Sequence, residues 1–188
     1  SIELYPYKKL IQNGLGSVMV AHLNVPSLEP KENLPSSLSY KIVTEILKEK
    51  LQFEGLIFTD ALNMKGASNF KQPGDIDLAA FLAGNDVLLF AEDVPKAFVK
   101  FKEAYKKKKL TEERLAYSVK KILKYKFRAG LKNYKPIELE NLVEDLNKPS
   151  YDALNEKLFE NAITTLQNED NIIPIKALVT EKIAYVKL

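Results

Sequence analysis

The chain has 188 residues, enough for one large domain or for one domain and part of a second. With 46% hydrophobic and 28% charged residues, its composition is neither disordered nor membrane-embedded, and no apolar run approaches the ~20 residues that cross a bilayer. Cysteine is absent, which excludes disulfides, thiol catalysis and cysteine metal sites, and the net charge of +3 conceals a basic stretch: residues 96–135 hold 15 of the 28 Lys and Arg. In chain order, the stretch LYPYKKLIQNG reads as a helix. Three short, nearly unbroken apolar runs follow: Ser17–Leu23 (SVMVAHL), Leu56–Thr59 (LIFT) and Val87–Phe90 (VLLF). Continuous apolarity without alternation predicts strands buried on both faces, as in a parallel sheet. Between the first two runs, Ser39 is placed to cap a helix that carries Val43, Ile46, Leu47 and Leu51 on one face. Pro95 suits a first helical position, and Val94, Phe98, Phe101 and Tyr105 then recur at helical spacing. A further helix is expected from Thr111, with Glu112 and Glu113 in its first turn, Leu115, Val119, Ile122 and Leu123 on its apolar side, and Gly130 just past its end.

Strands spaced by about 30 to 40 residues, with helices between them, call for a parallel α/β fold. Three such strands do not close a sheet of this class, and a complete barrel of eight βα units takes about 250 residues. From Lys132 the character changes to a linker with helical turns and two prolines, then a short helix over Tyr151 to Ala162. "AITTLQNEDNIIPIK" is expected to form a strand, a turn at Asn168–Asn171 and a second short strand, and "KIAYVKL" the first strand of another domain. The chain therefore reads as cut at both ends. Its basic stretch has two readings: a surface for nucleic acid, or solvated helix faces with lysines gathered toward helix C-termini. Phe98, Phe101 and Tyr105 fall at the spacing of core anchors, not of base-stacking platforms, so the second reading is preferred and no nucleic-acid partner is expected.

The segment "GLIFTDALNM" ends an apolar strand abruptly in Asp60. Loops at the C-terminal ends of parallel strands carry the sites of this fold class, so Asp60 is either a reagent or a cap for the turn after it. Asp86 is the internal control: it precedes its strand and lies at the opposite end, where aspartates are structural.

"GLIFTDALNMKGAS" resembles the nucleophile motif of glycoside hydrolase family 3, in which an apolar strand ending in Ser/Thr-Asp carries the catalytic aspartate. The surroundings agree in order and spacing: "SVMVAHLNVPSLEP" is similar to the preceding barrel strand and loop, "LPSSLSYKIVTEILKEKLQFEG" to the connecting helix, "AGNDVLLF" to the eighth strand, and "AITTLQNEDNIIPI" to the opening of the family's second domain. The "VMVAH" strand and the alanine after Asp60 look most like the bacterial β-N-acetylglucosaminidase (β-hexosaminidase) branch, whose members are cytoplasmic or exported. The resemblance implies the C-terminal part, about three βα units, of a TIM (β/α)8 barrel over residues 1–131. A linker with a short helix over 132–162 and the first strand of an α/β sandwich domain over 163–188 would follow. It implies a retaining hydrolase of terminal β-linked N-acetylglucosamine, working through a covalent glycosyl ester on Asp60. A β-glucosidase of the same family and a non-catalytic carbohydrate-binding relic are the alternatives. In that branch a histidine with a supporting aspartate, on a loop early in the barrel, is the acid/base. That loop is not in this chain, so the missing N-terminal barrel half is the expected partner, together with a β-glycoside or amino-sugar substrate. His22, the one histidine, is a candidate sugar contact or a support for Asp60, and equally a core histidine bonded to backbone; Met64 is a candidate sugar contact or ordinary packing. No cofactor is expected, and no cluster has metal-ligand spacing.

Overall fold

A computed structural model describes residues 2–177, 179–180, 182 and 184. The chain forms two compact units, Ser1–Tyr134 and Lys135–Leu188.

The first unit opens with helix α1 (Tyr5–Gln12). Strand β1 (Ser17–Val20) then pairs in parallel with β2 (Leu56–Thr59), in the register Ser17↔Leu56 to Val20↔Thr59. Glycine is required where they begin. A Cβ on Gly55 would collide with the Gly16 carbonyl oxygen, which accepts the Leu56 N–H at 3.0 Å. β2 is buried almost throughout, as expected. β1 is not: Met19 is 56% exposed, because among the described residues β1 has a strand neighbour on one side only.

The third expected strand is corrected. Val87 makes a single parallel bridge to Phe58, and Thr59 N–H donates to the Val87 carbonyl at 3.0 Å, so the segment lies beside β2. The ladder stops there for two reasons. Leu89 N–H donates to the Thr59 Oγ1 hydroxyl at 2.9 Å instead of to a backbone carbonyl, and Phe90 turns into the left-handed region at φ 54°.

The connecting helix (Lys41–Lys50) is π-type: Leu51 N–H closes on the Ile46 carbonyl. Ser39 caps it as its sequence suggests, accepting the Ile42 N–H at 3.1 Å, and also donates to Glu29 Oε2 at 2.5 Å. That bond and the Lys31 N–H hold the Glu29 carboxyl below its ordinary range. Val43 and Leu47 from this helix meet Val20, Phe53, Ile57 and Ala83 in one core cluster.

Helix α2 (Lys65–Ser68) is a single turn, and α3 (Asp75–Ala83) buries Ile76, Ala80 and Phe81. Helix α4 (Val94–Lys106) has Pro95 in its first turn, one residue later than expected, and Asp93 as its cap, accepting the Lys96 N–H at 2.9 Å. Its buried side differs from expectation. Ala97 and Ala104, seven residues apart, face inward with Phe101, whose ring lies 5.3 Å from that of Phe81. Small residues let α4 approach closely, so Phe98 and Tyr105 fall outside the core and are 62% and 48% exposed. Helix α5 (Glu112–Arg128) is capped by Thr111, and Gly130 follows it at φ 78°, both as the sequence suggests.

At the N-terminal end of the strands, Asp86 is 5% exposed. Its carboxylate accepts from Ile57 N at 3.1 Å, Ser118 Oγ at 2.5 Å and Lys121 Nζ at 2.6 Å, which bears out its structural role.

The second unit holds α6 (Leu142–Leu146) and α7 (Pro149–Ala162), the latter starting on proline. The two short strands expected after Ile163 do not form. The turn between them is present, with Asp170 at φ 57° and Asn171 at φ 51°. The Asn168 side chain, however, takes both the N–H and the carbonyl of Ile173, groups that a hairpin ladder would use. The strand expected over residues 182–188 lies outside the described residues, Lys182 and Ala184 excepted.

Candidate active site

β1 and β2 run the same way, so the residues after them emerge side by side. Asp60 still belongs to the ladder through its main chain, donating N–H to the Val20 carbonyl at 3.0 Å. Its side chain is the first one past the strand, and it is half-buried. Oδ1 accepts the Ala61 N–H at 2.8 Å. Oδ2 accepts no hydrogen bond among the described residues. A capping aspartate would bond an N–H two or three residues on. Asp60 does not; the turn after it is closed instead by Met64 N–H on the Ala61 carbonyl at 3.0 Å.

His22 follows β1 and lies against this turn. Nε2 is 2.9 Å from the Ala61 carbonyl oxygen, and Nδ1 is 2.6 Å from Ser37 Oγ. Both ring nitrogens are thus engaged by protein, one of them on backbone. Gly66, in the turn of α2, packs directly beneath the histidine: a Cβ there would lie 3.2 Å from the His22 Cβ and 3.4 Å from its carbonyl oxygen. Close approach, not a left-handed backbone, makes glycine the fitting residue. Met64 is 48% exposed at the start of the same turn. The three residues singled out from sequence therefore converge on one strand-end surface.

Two further residues belong to this constellation and were not singled out. Ser37 is fully buried and Asn85 is fully buried, and Asn85 Nδ2 donates to the Ser37 carbonyl at 2.8 Å. In sequence, Ser37 passes for part of a helix entry, and Asn85 for a turn residue before an apolar run. Their burial as polar groups is visible only in three dimensions. Ser36 ties the same segment down, donating Oγ to the Ala21 carbonyl at 2.6 Å while accepting the Leu23 N–H at 3.0 Å.

An apolar groove of about 520 Å³ on α4 and α5, lined by Val94, Phe98, Phe101, Tyr105, Leu110 and Leu115 among others, includes none of Asp60, His22 or Met64. Among the described residues, no group of three or more His, Cys, Asp or Glu side chains is placed to hold a metal ion, and no helix is long and apolar enough to cross a membrane.

Residues 1–125 match the family model described as the glycosyl hydrolase family 3 N terminal domain. The chain is 29% identical over 193 residues to a β-hexosaminidase A of Pseudoalteromonas piscicida, the match covering 93% of this chain and 32% of that protein. Among solved structures, a glycoside hydrolase family 3 β-N-acetylglucosaminidase from Paenibacillus sp. str. FPU-7 superposes with a TM-score of 0.79 at 30% identity, over 89% of this chain and 32% of that one. A β-glucoside phosphorylase superposes with a TM-score of 0.80 at 25% identity, over 92% of this chain and 33% of that one. The chain thus spans about a third of the length of the relatives it matches.

Proposed function

The chain belongs to glycosyl hydrolase family 3, and on that premise we propose that it supplies the nucleophile of a retaining β-N-acetylglucosaminidase, with Asp60 in that role. The observation that carries the reading is the state of the Asp60 carboxylate. It stands at the C-terminal end of a buried parallel strand with one oxygen steadied by a backbone N–H and the other accepting nothing among the described residues. The P. piscicida relative and the Paenibacillus structure, both named for amino-sugar hydrolysis, support the same substrate class.

In such a reaction Asp60 attacks the anomeric carbon. The bond from that carbon to the leaving oxygen breaks, and the leaving oxygen takes a proton from a general acid. The glycosyl–Asp60 ester is then opened by water, deprotonated by the same residue acting as base, and Asp60 returns as a carboxylate. No residue of this chain is assigned that acid/base role. Met64, exposed at the end of the turn that follows Asp60, is one proposed sugar contact. His22 is the second proposed contact, through its ring carbons, since its nitrogens are engaged.

For the fold, we read β1, β2 and the Val87 segment as three consecutive strands of a (β/α)8 barrel, residues 132–162 as a linker with a short helix, and residues 163–188 as the start of an α/β sandwich domain. The β-glucoside phosphorylase neighbour keeps a β-glucoside substrate, and phosphate as the acceptor in place of water, as the rival chemistry.

A fluorinated N-acetylglucosaminyl fluoride tests the assignment, because fluoride leaves without protonation. We expect a stoichiometric glycosyl adduct on the peptide containing Asp60, with the matching fluoroglucoside reacting far more slowly. An adduct on another carboxylate would move the nucleophile. Faster labelling by the glucoside would select the rival, and sugar binding without any adduct would leave a binding relic.

A further inference from the structure

Ala61 is held at both its polar groups. Its N–H donates to Asp60 Oδ1 at 2.8 Å, and its carbonyl oxygen faces His22 Nε2 at 2.9 Å. A carbonyl can only accept, so Nε2 carries the ring proton. In the neutral ring Nδ1 is then the acceptor, and the group facing it is Ser37 Oγ at 2.6 Å, which must donate. Ser37 is fully buried, so no solvent molecule substitutes for its hydroxyl. Its own main chain is anchored by Asn85 Nδ2, which bonds the Ser37 carbonyl at 2.8 Å and the Ala80 carbonyl at 2.7 Å. The His22 backbone is fixed independently, by Ser36 bonding Ala21 and Leu23 on either side of it and by Gly66 packed beneath.

We propose that Ser37, held by Asn85, is a positioning residue for the Asp60 carboxylate, acting through the tautomer of His22 and the Ala61 turn; this rests on the reading of Asp60 as nucleophile. Without the Ser37 hydroxyl, His22 can move its proton to Nδ1 and turn an unprotonated Nε2 toward the Ala61 oxygen. Two acceptors then face each other, the turn swings away, and the Ala61 N–H leaves Oδ1. The carboxylate loses its fixed orientation while its charge and the fold remain. A misplacement of about 1 Å at a reacting group costs up to roughly 100-fold in rate.

His22 is this chain's one histidine, so its ring nitrogens are unambiguous in a long-range ¹H–¹⁵N spectrum of this chain. We expect the neutral Nε2–H tautomer in the wild type and a loss of that preference in Ser37→Ala. In glycosidase assays with the rest of the proposed barrel present, Ser37→Ala should lose about 10- to 100-fold in kcat with KM little changed. His22→Gln, whose amide can reach the Ala61 carbonyl, should retain more activity than His22→Asn, which reaches only Ser37. A merely structural histidine gives no reason for that ranking. A neutral Nδ1–H tautomer in the wild type would overturn the proposal without any assay. So would equal activities of the Gln and Asn variants. Full activity in Asp60→Asn would instead overturn the nucleophile assignment, and the tautomer measurement would stand apart from it.

Discussion

Asp86 lies just before the segment that runs beside β2 and is 5% exposed, whereas Asp60 lies just after β2 and is half-buried. The first carboxylate accepts from a backbone N–H, a serine hydroxyl and a lysine ammonium. The second accepts from the N–H of its own neighbour only, among the described residues. Both residues are aspartates at the ends of extended segments that run parallel, β2 and the Val87 segment beside it. The difference is in what the opposite ends of a βα sheet are given to face. At the N-terminal end, α5 folds back and supplies Ser118 and Lys121, which saturate Asp86. At the C-terminal end, the chain turns away at Ala61 and leaves one carboxylate oxygen for something else. A carboxylate's availability is therefore set by the donors that the fold brings to it, not by residue type.

Substitution should separate the two ends cleanly. With the rest of the proposed barrel present, Asp60→Asn is expected to lower glycosidase turnover by roughly 10⁴-fold or more, and to change the unfolding free energy by no more than about 0.5 kcal/mol. Asp86→Ala should do the reverse in kind. It leaves the largely buried Lys121 without its counter-charge, beside Lys48 and Arg114, at a cost of about 3 kcal/mol in urea denaturation. If Asp86→Ala unfolded at the wild-type urea concentration while Asp60→Asn unfolded early, the roles of the two ends would have to be exchanged.

Much of the site end was legible because its determinants are local. The apolar run LIFT broken by Asp60, the Ser39 and Thr111 caps and proline in the first turn of α4 are each set by a few neighbouring residues, and the structure has them within a residue of where the pattern puts them. The parts that were not legible are non-local. Whether VLLF joins the ladder depends on the Thr59 hydroxyl, about thirty residues earlier, capturing the Leu89 N–H. Whether Phe98 or Ala97 faces the core depends on how closely α3 and α4 approach, which periodicity alone does not fix. Ser37 and Asn85 carry no motif; they matter because the fold buries Ser37 against His22 and Asn85 against the Ser37 carbonyl. The His22 ring itself is engaged as a core histidine would be, on backbone and a buried serine, which is why its proposed sugar contact runs through ring carbons.

Ser39 sharpens the comparison at a smaller scale. It lies two residues from Ser37, and its hydroxyl serves the cap of the 41–50 helix and the Glu29 carboxylate at once. Ser39→Ala is expected to lose about 2 kcal/mol, roughly half from the cap and half from the carboxylate left short of a donor. Urea denaturation would check it, and a loss confined to a few tenths would mean that Glu29 finds another partner.

The smallest expected effect belongs to the Asp86 end and is read through pH. Lys48 donates to the Gly84 carbonyl and lies 5.5 Å from the Tyr117 ring, with Asp86, Arg114 and Lys121 as the charges around it. Burial, reinforced by the two neighbouring cations and opposed by Asp86, pushes its ammonium down from an ordinary 10.5 to about 8. Below about 8 both the folded and the unfolded chain carry the proton, and the folded state bears the whole penalty of holding it. Between about 8 and 10.5 the folded chain has released the proton and the unfolded chain has not, so stability rises with pH. Partial exposure to solvent screens the gain to about 1 kcal/mol. The wild type should therefore gain about that much on Lys48→Met as pH is raised across this interval, the exposed lysines and tyrosines titrating alike in both. Parallel stability curves for the two proteins would show that Lys48 keeps its proton in the fold, and that the Asp86 end carries more uncompensated positive charge than its geometry implies.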